Sequence, residues 1–250
     1  MTEKTNQEIV VAEETTSKKA NAFTAKQKLI LALCSIVAVT AIVITSVFAT
    51  LAYLTSSAAV SNVFTVGNVQ ITMTESKVNT NGELVDDGAT QVDTNTYHLV
   101  PAKTYIKDPK ITVNAGSENS YLFVLVRNDI SAIADPNKLS IAQQMEAYGW
   151  QKYTKAATGW IYVYVGEGNV PDGDAEASPN TFVGTAVAVA QGEYQLFDNF
   201  SIAENADTST YGAAKITLTA VAIQKEGFDT VDAAWQKVMQ LYPYIHTGTN

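Results

Sequence analysis

Between Leu29 and Leu54 the chain runs 26 residues without a charged side chain. The pattern then changes: over Val69 to Thr74, apolar Val69, Ile71 and Met73 alternate with Gln70, Thr72 and Thr74. Carried on a helix, the first pattern spans about 39 Å at 1.5 Å per residue, enough to cross a bilayer. The second has the period of two that sets one group of side chains on a single face of a half-buried strand.

The same reading predicts the elements that follow. Glu75 to Asn95 is polar and carries the turn dipeptides Asn81-Gly82 and Asp87-Gly88, so it reads as a loop. Pro101 and Pro109 bar central ladder positions around Tyr97 to Lys110, and Ile111 and Val113 then alternate up to a turn at Ala115 to Asn119, which predicts a hairpin. YLFVLVRN is apolar at nearly every position, as in a strand covered on both faces. SIAQQMEAYGW offers Ser140 as an N-cap with Ile141, Met145 and Tyr148 at helical spacing. GWIYVYVGE, TFVGTAVAVA, YQLFDNFSI and AAKITLTAVAIQ read as strands, the last with Ile216, Leu218, Ala220 and Ala222 on one face. DTVDAAWQKVMQLY closes the series as an amphipathic helix, with Asp229 as N-cap, Trp235 on its apolar face and Pro243 as its stop. Seven or eight strands, few helices and no regular β-α alternation predict an all-β fold, an antiparallel sandwich in one domain.

Charge turns the apolar run into a statement about export. Lys18, Lys19, Lys26 and Lys28 flank it on the N-terminal side, the arrangement that stays cytoplasmic, so the remainder is expected outside. Residues 1–28 then form a disordered cytoplasmic lead, 29–52 the hydrophobic segment of a signal, and 53–250 the exported domain. Thr50, Leu51 and Ala52 approximate a small-residue cleavage site, while the length of the run also suits an uncleaved anchor. The sole cysteine, Cys34, lies inside the run and reads as a small hydrophobe, which excludes disulfides and thiolate chemistry from the exported part. Net charge is −9 for the chain and −10 once the first 28 residues, with five Lys and four Glu, are set aside. That acidity excludes nucleic acid as a partner and adhesion to anionic lipid by charge; the membrane enters only through the N-terminal segment.

TLAYLTSSAAVSNVFTVGNVQITMTE resembles the junction of secreted proteins processed by the SipW type of signal peptidase, the group of TasA-type biofilm fibre subunits and camelysin. LVPAKTYIKDPKITVNAGSENSYLFV and AVAIQKEGFDTVDAAW are similar to further recurring segments of that group. The resemblance implies cleavage between Ala52 and Tyr53 by that peptidase, a jelly-roll-like sandwich, and export from a Gram-positive cell. In fibre-forming members the liberated N-terminal segment completes the sheet of a neighbouring subunit. Carried over by position, that donor is Tyr53 to about Val66, with Leu54, Ala58, Val60, Val63 and Phe64 as its apolar contacts, and the partner is a second copy of the chain. An exposed sheet edge invites such an addition, because a new strand satisfies its open N–H and C=O groups. The alternative is an edge strand within its own domain.

The camelysin branch carries a metalloprotease label, yet the chain has two histidines, His98 and His246, and no H-E-x-x-H. They read as isolated surface residues. No Ser has the surroundings of a nucleophile elbow, and Asp86 with Asp87 reads as a solvated loop pair. Asp172, Asp174 and Glu176 alternate as calcium ligands do, without the Gly and Glu an EF-hand needs. Trp160, Tyr162 and Tyr164 share one strand face, read as core packing before a sugar platform. No catalytic residues and no cofactor are expected. The leading expectation is an extracellular structural protein, a subunit of a cell-surface or biofilm-matrix fibre built by donor-strand exchange. A secreted metalloprotease and a monomeric surface binding module are the alternatives.

Overall fold

The structure, a computed structural model, describes residues 56–58, 60–170, 182 and 184–247. All of them fall in one compact unit, Leu54–Asn250. In chain order the strands are β1 (Ser56–Ala58), β2 (Val60–Val66), β3 (Ile71–Ser76), β4 (Gln91–Val92), β5 (Thr96–His98), β6 (Thr104–Ile106), β7 (Lys110–Val113), β8 (Ser120–Asn128), β9 (Trp150–Ala156), β10 (Gly159–Tyr164), β11 (Gly192–Gln195), β12 (Asn199–Ser201) and β13 (Ile216–Gln224). The helices are α1 (Ile141–Ala147), α2 (Val231–Leu241) and the one-turn α3 (Tyr244–Thr247). The fold is thus mostly β, as its alternating pattern requires.

Two sheets dominate, and neither closes into a barrel. One has the order β2-β13-β8-β10-β9, the other β11-β7-β3-β4, with the ladders β1-β5 and β12-β6 beside them. Every pair is antiparallel except β2 with β13, which run parallel from Val60 opposite Thr217 to Val66 opposite Ile223. The expected wholly antiparallel arrangement is therefore corrected to a mixed five-stranded sheet. Nearly the whole domain separates β2 from β13 in sequence, so no short turn dictates their relative direction.

The period-two faces decide what is buried. Val69, Ile71 and Met73 are 3%, 6% and 4% exposed and meet Leu122, Val124, Val126, Leu218, Ala220 and Ala222 across the space between the sheets. The opposite face of the five-stranded sheet presents Phe123, Leu125, Ile161, Val163, Val221 and Ile223 to Trp235 and Val238 of α2 and Ile245 of α3. That double coverage explains the continuous apolar run of β8. Ser140 caps α1 in a capping box with Gln143, as its position predicts. Thr230, not Asp229, caps α2, its hydroxyl accepting from the Ala233 N–H at 3.1 Å.

Other expectations fail for tertiary reasons. Ile111 and Val113 belong to β7 in one sheet and the following strand β8 to the other, so the turn at Ala115 to Asn119 passes from one sheet to the other at the surface instead of closing a hairpin. Over Gly184 to Ala190 of TFVGTAVAVA, only an isolated bridge of Val189 to Ser120 forms. YQLFDNFSI divides into β11 and β12, which pair with different partners, β7 and β6. The strand β9 follows directly on α1 in a stretch whose Gln, Lys and Thr residues mask its periodicity. Among the described residues no helix is long and apolar enough to cross a membrane; the apolar run, with Cys34, lies outside them.

Candidate functional site

The structure separates the sequence-derived candidates. Ala52, Tyr53 and Leu54 lie outside the described residues, as do Asp172, Asp174 and Glu176. Ala58 ends β1, paired with Thr96 of β5, and Val60, Val63 and Phe64 lie on β2. That strand is the edge of its sheet, hydrogen-bonded on one side to β13 and without a partner strand on the other among the described residues. Phe64 turns toward the helical side, with its ring centroid 5.0 Å from Tyr242 and 5.6 Å from Tyr244. The Tyr242 hydroxyl donates to the Thr65 carbonyl at 3.0 Å. Val63, opposite Ala220, remains 40% exposed. Gly67 follows at φ +86, a conformation open to glycine, and a Cβ there would meet Gln224 at 2.6 Å. The N-terminal segment is thus clasped by a one-sided ladder and a small aromatic cradle.

The other chemical candidates stay apart. His98 is an exposed residue of β5, and the side chain of His246 lies outside the described residues. Among the described residues no three His, Cys, Asp or Glu converge as metal ligands. Asp86 sits in an exposed turn, where hydrogen bonds from the Thr90 hydroxyl and N–H lower its pKa. Tyr162 is 3% exposed. Trp160 is half-buried beside a cleft of about 360 Å³, with the ammonium groups of Lys152 and Lys155 at 5.0 and 5.9 Å from its ring centroid. Tyr164 packs against Trp150 and Tyr194 at 5.2 and 5.1 Å. The aromatic strand is therefore largely packing; of its two partly open rings, Tyr164 packs on other aromatics and Trp160 lies next to two cations.

A polar constellation in the core was not foreseen. Lys107 Nζ lies 2.5 Å from Glu75 Oε2, and both side chains are wholly buried. Asn95 Nδ2 donates to Glu75 Oε1 at 3.0 Å and to the Ser76 carbonyl at 2.8 Å, while Asn95 Oδ1 accepts from the Val78 N–H at 3.0 Å. Asp108 accepts from Ser76 through N–H at 2.8 Å and hydroxyl at 2.7 Å. Burial pulls the Lys107 ammonium below its ordinary pKa, with the Glu75 carboxylate pulling the other way. Burial and the nearby Glu75 and Asp108 charges push the Tyr97 hydroxyl up. The signal was present in the sequence. Glu75 continues the inward series Ile71 and Met73, and Lys107 stands in the inward series Tyr105, Pro109 and Ile111, so each breaks an apolar face with a charge of opposite sign. Only their juxtaposition needed the fold.

Compared with family models, curated proteins and solved structures, the chain has no match.

Proposed function

We propose that the protein is an extracellular structural subunit that polymerises by exchanging its N-terminal strand. The observation that carries this reading is the position of β2: the longest strand of the N-terminal segment, following directly on the short β1, it is the edge of the main sheet, held from one side by β13. Within one chain β2 completes its own sheet. In the exchanged form a neighbour's β2 makes the same seven-residue parallel ladder and fills the same Tyr242 and Tyr244 cradle, so contacts are conserved and the supplier changes. Release of β2 pivots at Gly67 and leaves the β13 edge open to the next copy.

The two packed sheets are compatible with a jelly-roll-like sandwich. The apolar N-terminal run and the resemblance of the junction to SipW-type substrates support cleavage at Ala52-Tyr53 and export. The reading assigns no catalytic residue, metal or cofactor. Protein beginning at Tyr53 is expected to form filaments visible by electron microscopy, and protein beginning at Asn68 is expected to stay unassembled. Equal behaviour of the two forms would sink strand exchange.

A further inference from the structure

Three buried groups of the core stand in the order of a reaction. Glu75, Lys107 and Asn95 are 0%, 1% and 5% exposed. One carboxylate touches both others, Lys107 Nζ through Oε2 and Asn95 Nδ2 through Oε1. The Asn95 carbonyl oxygen receives the Val78 N–H. An ion pair alone needs no amide on the far oxygen of the carboxylate. A carboxylate shared between an amine and a carboxamide, with a donor on the carboxamide oxygen, is the arrangement that amide exchange requires.

We propose that this cluster forms an intramolecular amide cross-link, in which Lys107 Nζ bonds to Cγ of Asn95 with loss of ammonia and Glu75 carries the proton between the two nitrogens. Glu75 first takes a proton from the ammonium, leaving the neutral amine. The amine lone pair attacks Cγ, and the carbonyl electron pair moves to Oδ1, where the Val78 N–H steadies the developing charge. The Nζ–Cγ bond forms and the Cγ–Nδ2 bond breaks. Glu75 gives its proton to Nδ2, which departs as NH3, and takes the second proton from Nζ; that proton then passes to the released ammonia, which leaves as ammonium. One lysine ammonium and one carboxamide thus become one amide NH and one NH4+, and the carboxylate is regenerated. No oxidant, metal or second substrate enters the balance.

The surroundings favour the step. Complete burial disfavours the charged amine, the form that cannot attack. The aromatic rings of Tyr97, Tyr105 and Phe200, packed with centroids 5.0 to 5.9 Å apart, form an apolar neighbourhood, and the Tyr97 hydroxyl donates to the Ile106 carbonyl at 3.1 Å. A site closed to water keeps hydrolysis from competing. The product would tie the residue leading into β5, the partner of β1, to the segment between β6 and β7 of the four-stranded sheet.

The test is the intact mass and tryptic map of the full-length protein and of its processed product, each purified under denaturing conditions. The expected result is a mass lower than the sequence requires by one ammonia, together with a branched peptide joining Asn95 to Lys107 and no cleavage after Lys107. An unreduced mass in the wild-type protein overturns the proposal. Ammonia loss that maps to a succinimide at Asn81-Gly82, with Lys107 still cleaved by trypsin, overturns it equally. Lys107→Met and Glu75→Gln are expected to restore the full mass. A mass deficit persisting in Lys107→Met refutes the bond, and one persisting in a folded Glu75→Gln refutes the relay. The wild-type map decides the matter even where a variant does not fold.

Discussion

At the scale of the residue, Gly82 shows how a local signal acquires a tertiary meaning. Asn81-Gly82 marks a turn by composition alone, and Gly82 has the positive φ of +72 such turns use. It is nevertheless buried, and a Cβ there would stand 2.6 Å from Tyr105 Cδ1 and 2.9 Å from its Cα, against a ring with no exposure. Gly82→Ala is therefore expected to destabilise the domain by about 2 kcal/mol or more, combining backbone strain with the clash. Gly116→Ala provides the comparison, since that glycine has φ +84 with nothing within 4 Å and loses the backbone part alone. The midpoints of urea unfolding curves measure both. The turn was legible in the dipeptide; the ring beneath it was not, because 23 positions separate Gly82 from Tyr105 in the chain.

At the scale of the element, the helices and most strands with strong periodicity were read in place, TFVGTAVAVA excepted, and their partners were not. The apolar face of α2 predicted a docking surface, which is the outer side of the five-stranded sheet: Trp235 lies 4.9 Å from Phe123 and 5.8 Å from Tyr153, centroid to centroid. Trp235→Ala removes the largest side chain of that layer and is expected to cost about 4 kcal/mol, measured by chemical denaturation, with α2 losing protection from hydrogen exchange first. The failed hairpin between β7 and β8 has the complementary explanation. Each strand's inward face was correct, but a turn connecting strands in one sheet and a turn crossing between two sheets carry the same Gly, Ser and Asn residues. The edge strand β2 belongs here too, since a strand's pattern states that it pairs and leaves open which strand it joins.

At the scale of the whole molecule, tyrosines couple the fold to alkaline pH. Tyr97 is held far above its ordinary pKa by burial and then by Glu75 and Asp108, and Tyr153 by burial and then by its hydrogen bond to Asp232. Tyr105, Tyr148, Tyr164, Tyr194 and Tyr244 shift the same way, each chiefly through desolvation. A group whose folded pKa exceeds its unfolded value contributes full stability below the unfolded value and loses it above. Stability is thus expected to hold up to about pH 10, the unperturbed phenol pKa, and to fall as pH rises further while the unfolded chain ionises. Circular dichroism with tyrosinate absorbance measures this; independent ionisation without unfolding would contradict it. The sequence by itself determined the long uncharged apolar run, the acidic balance, the inward faces of the main strands and the two amphipathic helices, because these follow from composition and from spacing over a few residues. Tertiary structure alone decided that β2 runs parallel on β13, that β7 and β8 part into different sheets, and that Glu75, Asn95 and Lys107 meet. Each depends on contacts between distant positions, where the free energy of burial selects among pairings that local pattern leaves equivalent.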